Sequence, residues 1–284
     1  MKSVLSIQSW VSYGHVGNAS AMLPLHRLGV EVWAIHTVQF SNHTGYGRWR
    51  GPVFSGAMVR DIVLGLEEQG VLPRCDGLLS GYMGDREIGE AILDARARIR
   101  RANEAALYCC DPVIGDVDHG IYVRPGIAEF LRDHALPVAD IATPNQFELE
   151  YLADRKIETL EDALAAVDRL HAIGPRVVLV TSLIRRETPD DRIELLVSAE
   201  GRAWLATTPR LALSVSGAGD AIAALFFVHM ARTGRADLAL SRSASSIFGL
   251  LEMTARAGAS EIRLIDAQDE FVKPTHTIPV RAVR

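Results

Sequence analysis

The stretch GLLSGYMGDREIGEAILDARARIRRANEAALYCCD, residues 77–111, carries the reading of the fold. Gly77 to Leu79 is a short aliphatic run of strand type. Arg86 to Arg101 then sets Ile88, Ile92, Ala95 and Ile99 on one helical face, and Ala106 to Cys110 is a second apolar run. Strand, amphipathic helix and strand in succession predict a parallel βαβ unit.

The same rhythm extends in both directions. Val4 to Gln8, Val30 to Val38, Ile141 to Ala142 and Val177 to Val180 read as further strands. Ser55 to Gln69 carries a helical stripe of Met58, Val59, Ile62, Val63 and Leu66. The strands lack polar alternation, as expected for a sheet covered on both faces. Arg192 to Val197 and Ala203 to Thr207, separated by a turn at Ala199, Glu200 and Gly201, break the rhythm and predict an antiparallel hairpin at one sheet edge. Two helix-length segments follow, Asp220 to Arg232 and Ala236 to Arg256. The expectation is an α/β fold with a mostly parallel central sheet and an antiparallel edge hairpin. With no repeat, low-complexity tract or linker, one domain over residues 1–284 is expected.

Composition narrows the function classes. The 284 residues are 48% apolar and 23% charged with a formal net charge of −5, a balance that argues against a nucleic-acid or anionic-membrane surface as partner. Cys75, Cys109 and Cys110 have no metal-ligand spacing, which points to buried thiols in a reducing cytoplasm. No segment approaches the length of a membrane span, and the start of the chain does not read as a signal peptide. None of the three lysines, Lys2, Lys156 and Lys273, follows a glycine, so a P-loop is excluded. The dinucleotide fingerprint, His-Glu-x-x-His and Gly-x-Ser-x-Gly are likewise absent.

In an open parallel sheet, ligands bind beyond the carboxyl ends of the strands. Here those ends are unusually polar: Gln8 and Ser9, then Gln39, Ser41, Asn42, His43 and Thr44, Ser80 to Tyr82, Asp111, Thr143 with Asn145, and Thr181 with Ser182. Gly217-Ala218-Gly219-Asp220 precedes the apolar run Ala221 to Met230, placing a glycine turn at a helix N-terminus. Free amides there can hold an anion, and an aspartate in the first turn can accept a proton from an attacking hydroxyl, as phosphoryl transfer requires. The helix dipole should make that aspartate a weak base. Thr143-Pro144-Asn145-Gln146-Phe147-Glu148 opens another helix; its spacing fits a capping box, and also places Asn145 and Glu148 on one face toward a hydrated magnesium. Asp111 supplies a second carboxylate.

These residues resemble the pyridoxal kinases of the ribokinase-like superfamily over nearly the whole chain. The likeness rests on Gln8-Ser9 through Tyr13-Gly14-His15-Val16-Gly17-Asn18, the run Thr37 to Tyr46, Leu79-Ser80-Gly81-Tyr82, Asp111-Pro112-Val113-Ile114-Gly115-Asp116, Thr143 to Glu148 and Gly217 to Asp220. The last motif marks the superfamily alone, whereas Val38 to Tyr46 is more specific. The resemblance implies a three-layer α-β-α sandwich that transfers the ATP γ-phosphate to the 5′-hydroxyl of pyridoxal, pyridoxine or pyridoxamine. Magnesium would assist, with a monovalent cation such as potassium in many members. It implies Asp220 as base and Gly217, Ala218 and Gly219 as anion hole. Ser9, Val16, Phe40, His43, Thr44, Gly45 and Tyr82 would form the vitamin pocket. Asp111 and Glu148 would hold magnesium, partly through water. Asp116, Tyr122, Thr143, Asn145, Thr181, Ser182 and Thr208, Pro209, Arg210, Leu211 would attend the nucleotide. A homodimer is also implied. Trp10 departs from relatives that carry histidine beside the substrate serine. The competing readings are a hydroxymethylpyrimidine kinase and a vitamin-binding relative without turnover.

Overall fold

The computed structural model describes all 284 residues. Strand β1 (Ser3–Val11), helix α1 (Asn18–Arg27) and β2 (Glu31–Phe40) form the first crossover, followed by α2 (Gly56–Glu68), β3 (Gly77–Ser80), α3 (Arg86–Ala102) and β4 (Leu107–Cys110). A small hairpin of β5 (Gly115–Asp116) and β6 (Gly120–Ile121) comes next, then α4 (Ile127–Phe130), β7 (Ile141–Ala142), α5 (Gln146–Ala153), α6 (Leu160–Ile173) and β8 (Val177–Leu183). The chain continues through β9 (Arg192–Ala199), β10 (Arg202–Pro209), α7 (Ala218–Thr233) and α8 (Ala236–Arg256) to β11 (Val280–Ala282).

Nine strands make one sheet in the order β11-β10-β9-β8-β7-β4-β3-β1-β2. All pairings from β2 across to β8 are parallel; β8 with β9, β9 with β10 and β10 with β11 are antiparallel. The expected hairpin is present but does not form the edge. Val280–Ala282 pairs outside β10, covering its open hydrogen-bonding groups with a short segment that has no distinct strand signal of its own.

The apolar strands divide by period two. Leu5, Ile7, Leu78, Cys110, Val178 and Val180 face one buried cluster with the inner sides of α2, α3, α5 and α6. Val4, Leu79, Cys109, Val177 and Leu179 face the other, with α1, α7 and α8. Both faces of every central strand are therefore covered, which is why the sequence shows continuous apolar runs. All three cysteines are free and buried. Of the α2 stripe, Val59 and Val63 are buried, while Met58 and Ile62 are each 37% exposed.

Because β1, β2, β3, β4, β7, β8 and β10 run in one direction, their carboxyl ends share one edge of the sheet. At that edge Asp111 N–H donates to Ser80 C=O (2.9 Å), and Thr143 N–H to Cys110 C=O (3.2 Å). The polar residues after the strands are thus tied to one another.

Candidate active site

Three carboxylates lie toward this edge, with Glu148 and Asp220 each close enough to act electrostatically on Asp111. Asp111 follows β4, Glu148 lies in the first turn of α5, and Asp220 lies in the first turn of α7. Burial pushes Asp111 well above the usual carboxylate range, and repulsion from Glu148 and Asp220 adds to this; only Thr143 Oγ1, donating to Asp111 Oδ1 at 2.8 Å, opposes it. Burial raises Glu148 to about 7 against the backbone amides of Asn145, Ile114 and Gly115. Burial also raises Asp220 to about 6, against the amides of Gly17 and of Asp220 itself. The weak base expected from the helix terminus is therefore overturned: desolvation outweighs the backbone field. The Tyr122 hydroxyl is raised by burial and then by Glu148, Asp116, Asp220 and Asp111, which places it among the same carboxylates.

Glu148 is held in two ways. Its Oε2 accepts from Asn145 N–H and its Oε1 from Ile114 N–H, both at 2.9 Å. Asn145 completes the capping box by accepting from Glu148 N–H at 2.9 Å, and its amide nitrogen donates to Gly115 C=O at 2.8 Å. Both polar atoms of the Asn145 side chain are thereby engaged. Asn145 thus has a capping role, which leaves a second lone pair on Oδ1 and a second N–H on Nδ2.

The glycine turn is shaped by backbone contact. Gly217 is the N-cap of α7 with φ 89°, and a Cβ there would fall on His15 C=O. Ser20 Oγ donates to Gly217 C=O at 2.7 Å, fixing the turn from α1. Nothing in the protein lies near the position of a Cβ on Gly219, which is exposed at the helix start. The start of α7 has no side-chain cap, and the space over Gly219 is open.

Val16 and Phe40 pack with Val11 and Val38 in a small third cluster that Tyr82 borders. Ser9 is buried beside it, and Gly17, with φ 57°, makes the close approach to Ser9 that a Cβ would block. His43 Nδ1 accepts from Gly45 N–H at 3.3 Å at the start of the Thr44–Tyr46 turn, and the same nitrogen lies 3.3 Å from Ser216 Oγ. Thr44 and Gly45 are exposed. Burial lowers the His43 imidazole; Glu261 and Asp116 raise it, and His119 adds to the lowering. Trp10, the departure noted in the sequence, lies with its ring 4.8 Å from that of His36.

Of the residues expected to attend the nucleotide, Thr181 and Ser182 do not follow β8. They lie within it as a bulge, where pairing with β9 shifts between Val180 and Leu183. Ser182 has φ 53°, one of three non-glycine residues with positive φ. Thr181 N–H donates to Pro144 C=O at 2.9 Å, joining the bulge to the start of α5. Thr208 is buried near the end of β10, Pro209 and Arg210 are exposed, and Leu211 packs against the core cluster under α7 and α8. Asp116 accepts from the backbone N–H groups of Asp118 and His119 at 2.9 and 2.8 Å.

Two neighbours of these residues carry no signal in the sequence. Glu261 accepts from His15 N–H at 3.3 Å and fills the space a Cβ on Gly14 would need, so a distant loop pins the segment that packs on Gly217. Arg124 lies near the Tyr82 hydroxyl and pairs with Asp85 at 3.1 Å. Neither has a local motif that could have marked it.

A covered, mostly parallel sheet with a glycine turn, a half-buried aspartate at the following helix and a small apolar cluster defines a ribokinase-like small-molecule kinase. A family model described as phosphomethylpyrimidine kinase matches residues 74–263. Pyridoxal kinase PdxY of Granulibacter bethesdensis is 57% identical over 277 residues, spanning 96% of this chain and 97% of that protein. This chain belongs to the pyridoxal kinase family. Pyridoxal kinase PdxY of Rubrobacter xylanophilus is 54% identical over 99% of this chain and 97% of its own length. Among solved structures, pyridoxal kinase from Leishmania donovani in complex with ADP and pyridoxamine is 30% identical with a TM-score of 0.93, each chain covered completely.

Proposed function

We propose that this enzyme phosphorylates the 5′-hydroxyl of pyridoxal, and of pyridoxine and pyridoxamine, at the expense of ATP. The observation that carries the reading is the His43 to Ser216 contact, which joins the family-specific segment Thr37 to Tyr46 to the residue preceding the glycine turn. The apolar cluster of Val16 and Phe40, bordered by Tyr82, supports reading these residues as the wall of a substrate slot. A small aromatic alcohol suits a slot of this kind, with Ser9, Thr44 and Gly45 as hydrogen-bonding partners.

Asp220 orients the hydroxyl and takes its proton as the bond to phosphorus forms; its raised affinity for the proton suits that role. The amides of Gly217, Ala218 and Gly219 receive the transferring phosphoryl oxygens. Asp111 and Glu148 fit a hydrated magnesium. They repel one another in a buried setting, their hydrogen bonds come from neutral donors, and neither forms an ion pair. Asp111 and Glu148 would there hold magnesium, whose chemistry is to offset the charge that develops on the phosphates. Thr143, Thr181 and Ser182 would contact the nucleotide, with Thr208 to Leu211 supplying backbone and packing contacts. Asp116 and Tyr122 would flank the phosphates.

The wider reading also includes a potassium-type monovalent cation, a homodimer, a cytoplasmic setting, and one kinase domain over residues 1–284. Exposed Met58 and Ile62 on α2 support a self-association face, and three buried free thiols support a reducing compartment. The one-domain reading is supported by a single sheet that takes strands from Ser3 to Ala282. No helix is long and apolar enough to cross a membrane.

The second reading, phosphorylation of hydroxymethylpyrimidine, is favoured by the description of the matching family model, whose match begins after the Thr37 to Tyr46 segment. A coupled ADP-release assay with Mg-ATP, offering pyridoxal, pyridoxine, pyridoxamine and hydroxymethylpyrimidine separately, tests both. Turnover with a pyridoxal vitamer is expected, and turnover with the pyrimidine alone would overturn the assignment.

A further inference from the structure

The bulge at Thr181 and Ser182 holds a serine in the left-handed backbone region, at φ 53°. A non-glycine residue persists there when its surroundings over-determine the conformation, and such positions gather at ligand sites. On the upstream side the restraint is the Thr181 N–H bond to Pro144 C=O. On the downstream side Ile184 N–H donates to Gln146 Oε1 at 2.8 Å, and the next residue is Arg185, 7% exposed.

Arg185 grips β9. Its Nε and Nη2 donate to the two oxygens of Glu194 at 2.7 and 2.9 Å, and Glu194 is 4% exposed. Thr188 Oγ1 accepts from Arg185 N–H at 3.0 Å and donates to Glu194 Oε2 at 2.8 Å, while Arg185 Nη1 donates to Glu187 at 2.7 Å. Glu194 is also the residue that faces Leu183 where regular pairing resumes. The ion pair therefore locks the strand at the point where the bulge ends. A buried ion pair contributes little net stability compared with apolar side chains of similar size. It stands at the Leu183–Glu194 pairing, one residue beyond Ser182, where the bulge ends.

We propose that Arg185 and Glu194 form a positioning clamp that holds the Thr181–Ser182 bulge in the conformation that receives the nucleotide. The clamp rests on the reading of Thr181 and Ser182 as ATP contacts, and acts through them without touching the reacting atoms.

The test replaces the pair with apolar residues, Arg185→Met with Glu194→Leu. Thermal stability is expected to hold or rise, the KM for ATP and the Kd for Mg-ADP to increase about tenfold, and kcat at saturating ATP and the KM for pyridoxal to stay near wild type. In an S182G background the same double replacement should raise the ATP KM less than about twofold, because glycine occupies positive φ without strain. An unchanged Kd for Mg-ADP in the double variant, or an equal effect with and without S182G, overturns the clamp. Should the double variant fail to fold, Glu194→Gln, which keeps the shape and loses the charge, carries the same two nucleotide readouts and the same S182G comparison. Thr181→Val separates the underlying reading. If it leaves Mg-ADP affinity untouched, the bulge is not a nucleotide contact, and the clamp falls with it for a reason distinct from its own failure.

Discussion

His15 C=O occupies the space that a Cβ on Gly217 would need, so the loop after β1 and the turn before α7 are packed backbone to backbone. Gly219, two residues on, has no protein atom near the corresponding position. The two glycines should therefore fail differently. Gly217→Ala must displace His15 and adopt a strained positive φ, at a cost of about 1–3 kcal/mol in stability as well as lost turnover. Gly219→Ala should leave the melting temperature within about 2 °C of wild type while lowering kcat/KM for ATP roughly tenfold or more, since its methyl would meet the phosphate and not the protein. Melting curves beside steady-state kinetics check this; equal stability losses in both variants would count against the anion-hole role of Gly219.

Asp220→Asn should fold and bind Mg-ATP while losing on the order of 10² to 10⁴ in turnover. In the wild-type enzyme, kcat/KM for pyridoxal should fall as pH drops through about 6, where Asp220 gains its proton and can no longer accept one. The residual activity of the variant should lack that acid limb. Near-normal turnover in Asp220→Asn would remove the base from the mechanism.

Glu148→Gln keeps an acceptor for the amides of Asn145 and Ile114 but removes the charge. The capping box and the melting temperature should change little, and the magnesium concentration for half-maximal rate should rise several-fold. A magnesium titration superimposable on wild type would make Glu148 a helix cap alone.

The raised carboxylates also set a stability trend. Glu148 at about 7 and Asp220 at about 6 hold their protons in the folded chain over a range where the unfolded chain has released them. Each therefore lowers stability progressively as pH rises from about 4 to about 7. His229, lowered to about 4 first by burial and then by Arg242 and Arg232, acts in the opposite sense below about 6.5. The clean readout is a difference. Relative to wild type, the Glu148→Gln/Asp220→Asn double variant should gain thermal stability as pH rises through 4 to 7 and show a constant advantage above about 8. A difference that does not vary with pH would mean that the two carboxylates ionise normally in the fold.

Much of this architecture is legible in residues close together in the chain. The helix over Arg86 to Arg101, the apolar runs flanking it and the turn at Glu200 and Gly201 follow from side-chain periodicity and backbone preference alone. The glycine turn before α7 and the capping box before α5 are equally local: the box satisfies the first amides of α5, and the turn leaves those of α7 without a side-chain cap. The edge strand Val280–Ala282 was not legible: a short segment pairs because β10 offers it an open edge, and that edge exists once the sheet has formed.

The chemistry of the site divides along the same line. Its residue types, and their positions after the strands, are properties of the chain, since parallel strands deliver their carboxyl ends to one side. The strength of Asp220 as a base is not. Its place at a helix N-terminus argues for a depressed pKa, yet partial burial in the assembled fold raises it to about 6. Desolvation, the repulsion among Asp111, Glu148 and Asp220, the pinning of Gly14 and His15 by Glu261, and the grip of Arg185 on Glu194 all join elements remote in sequence. Such effects depend on distance and burial in three dimensions, which no local pattern of side chains encodes.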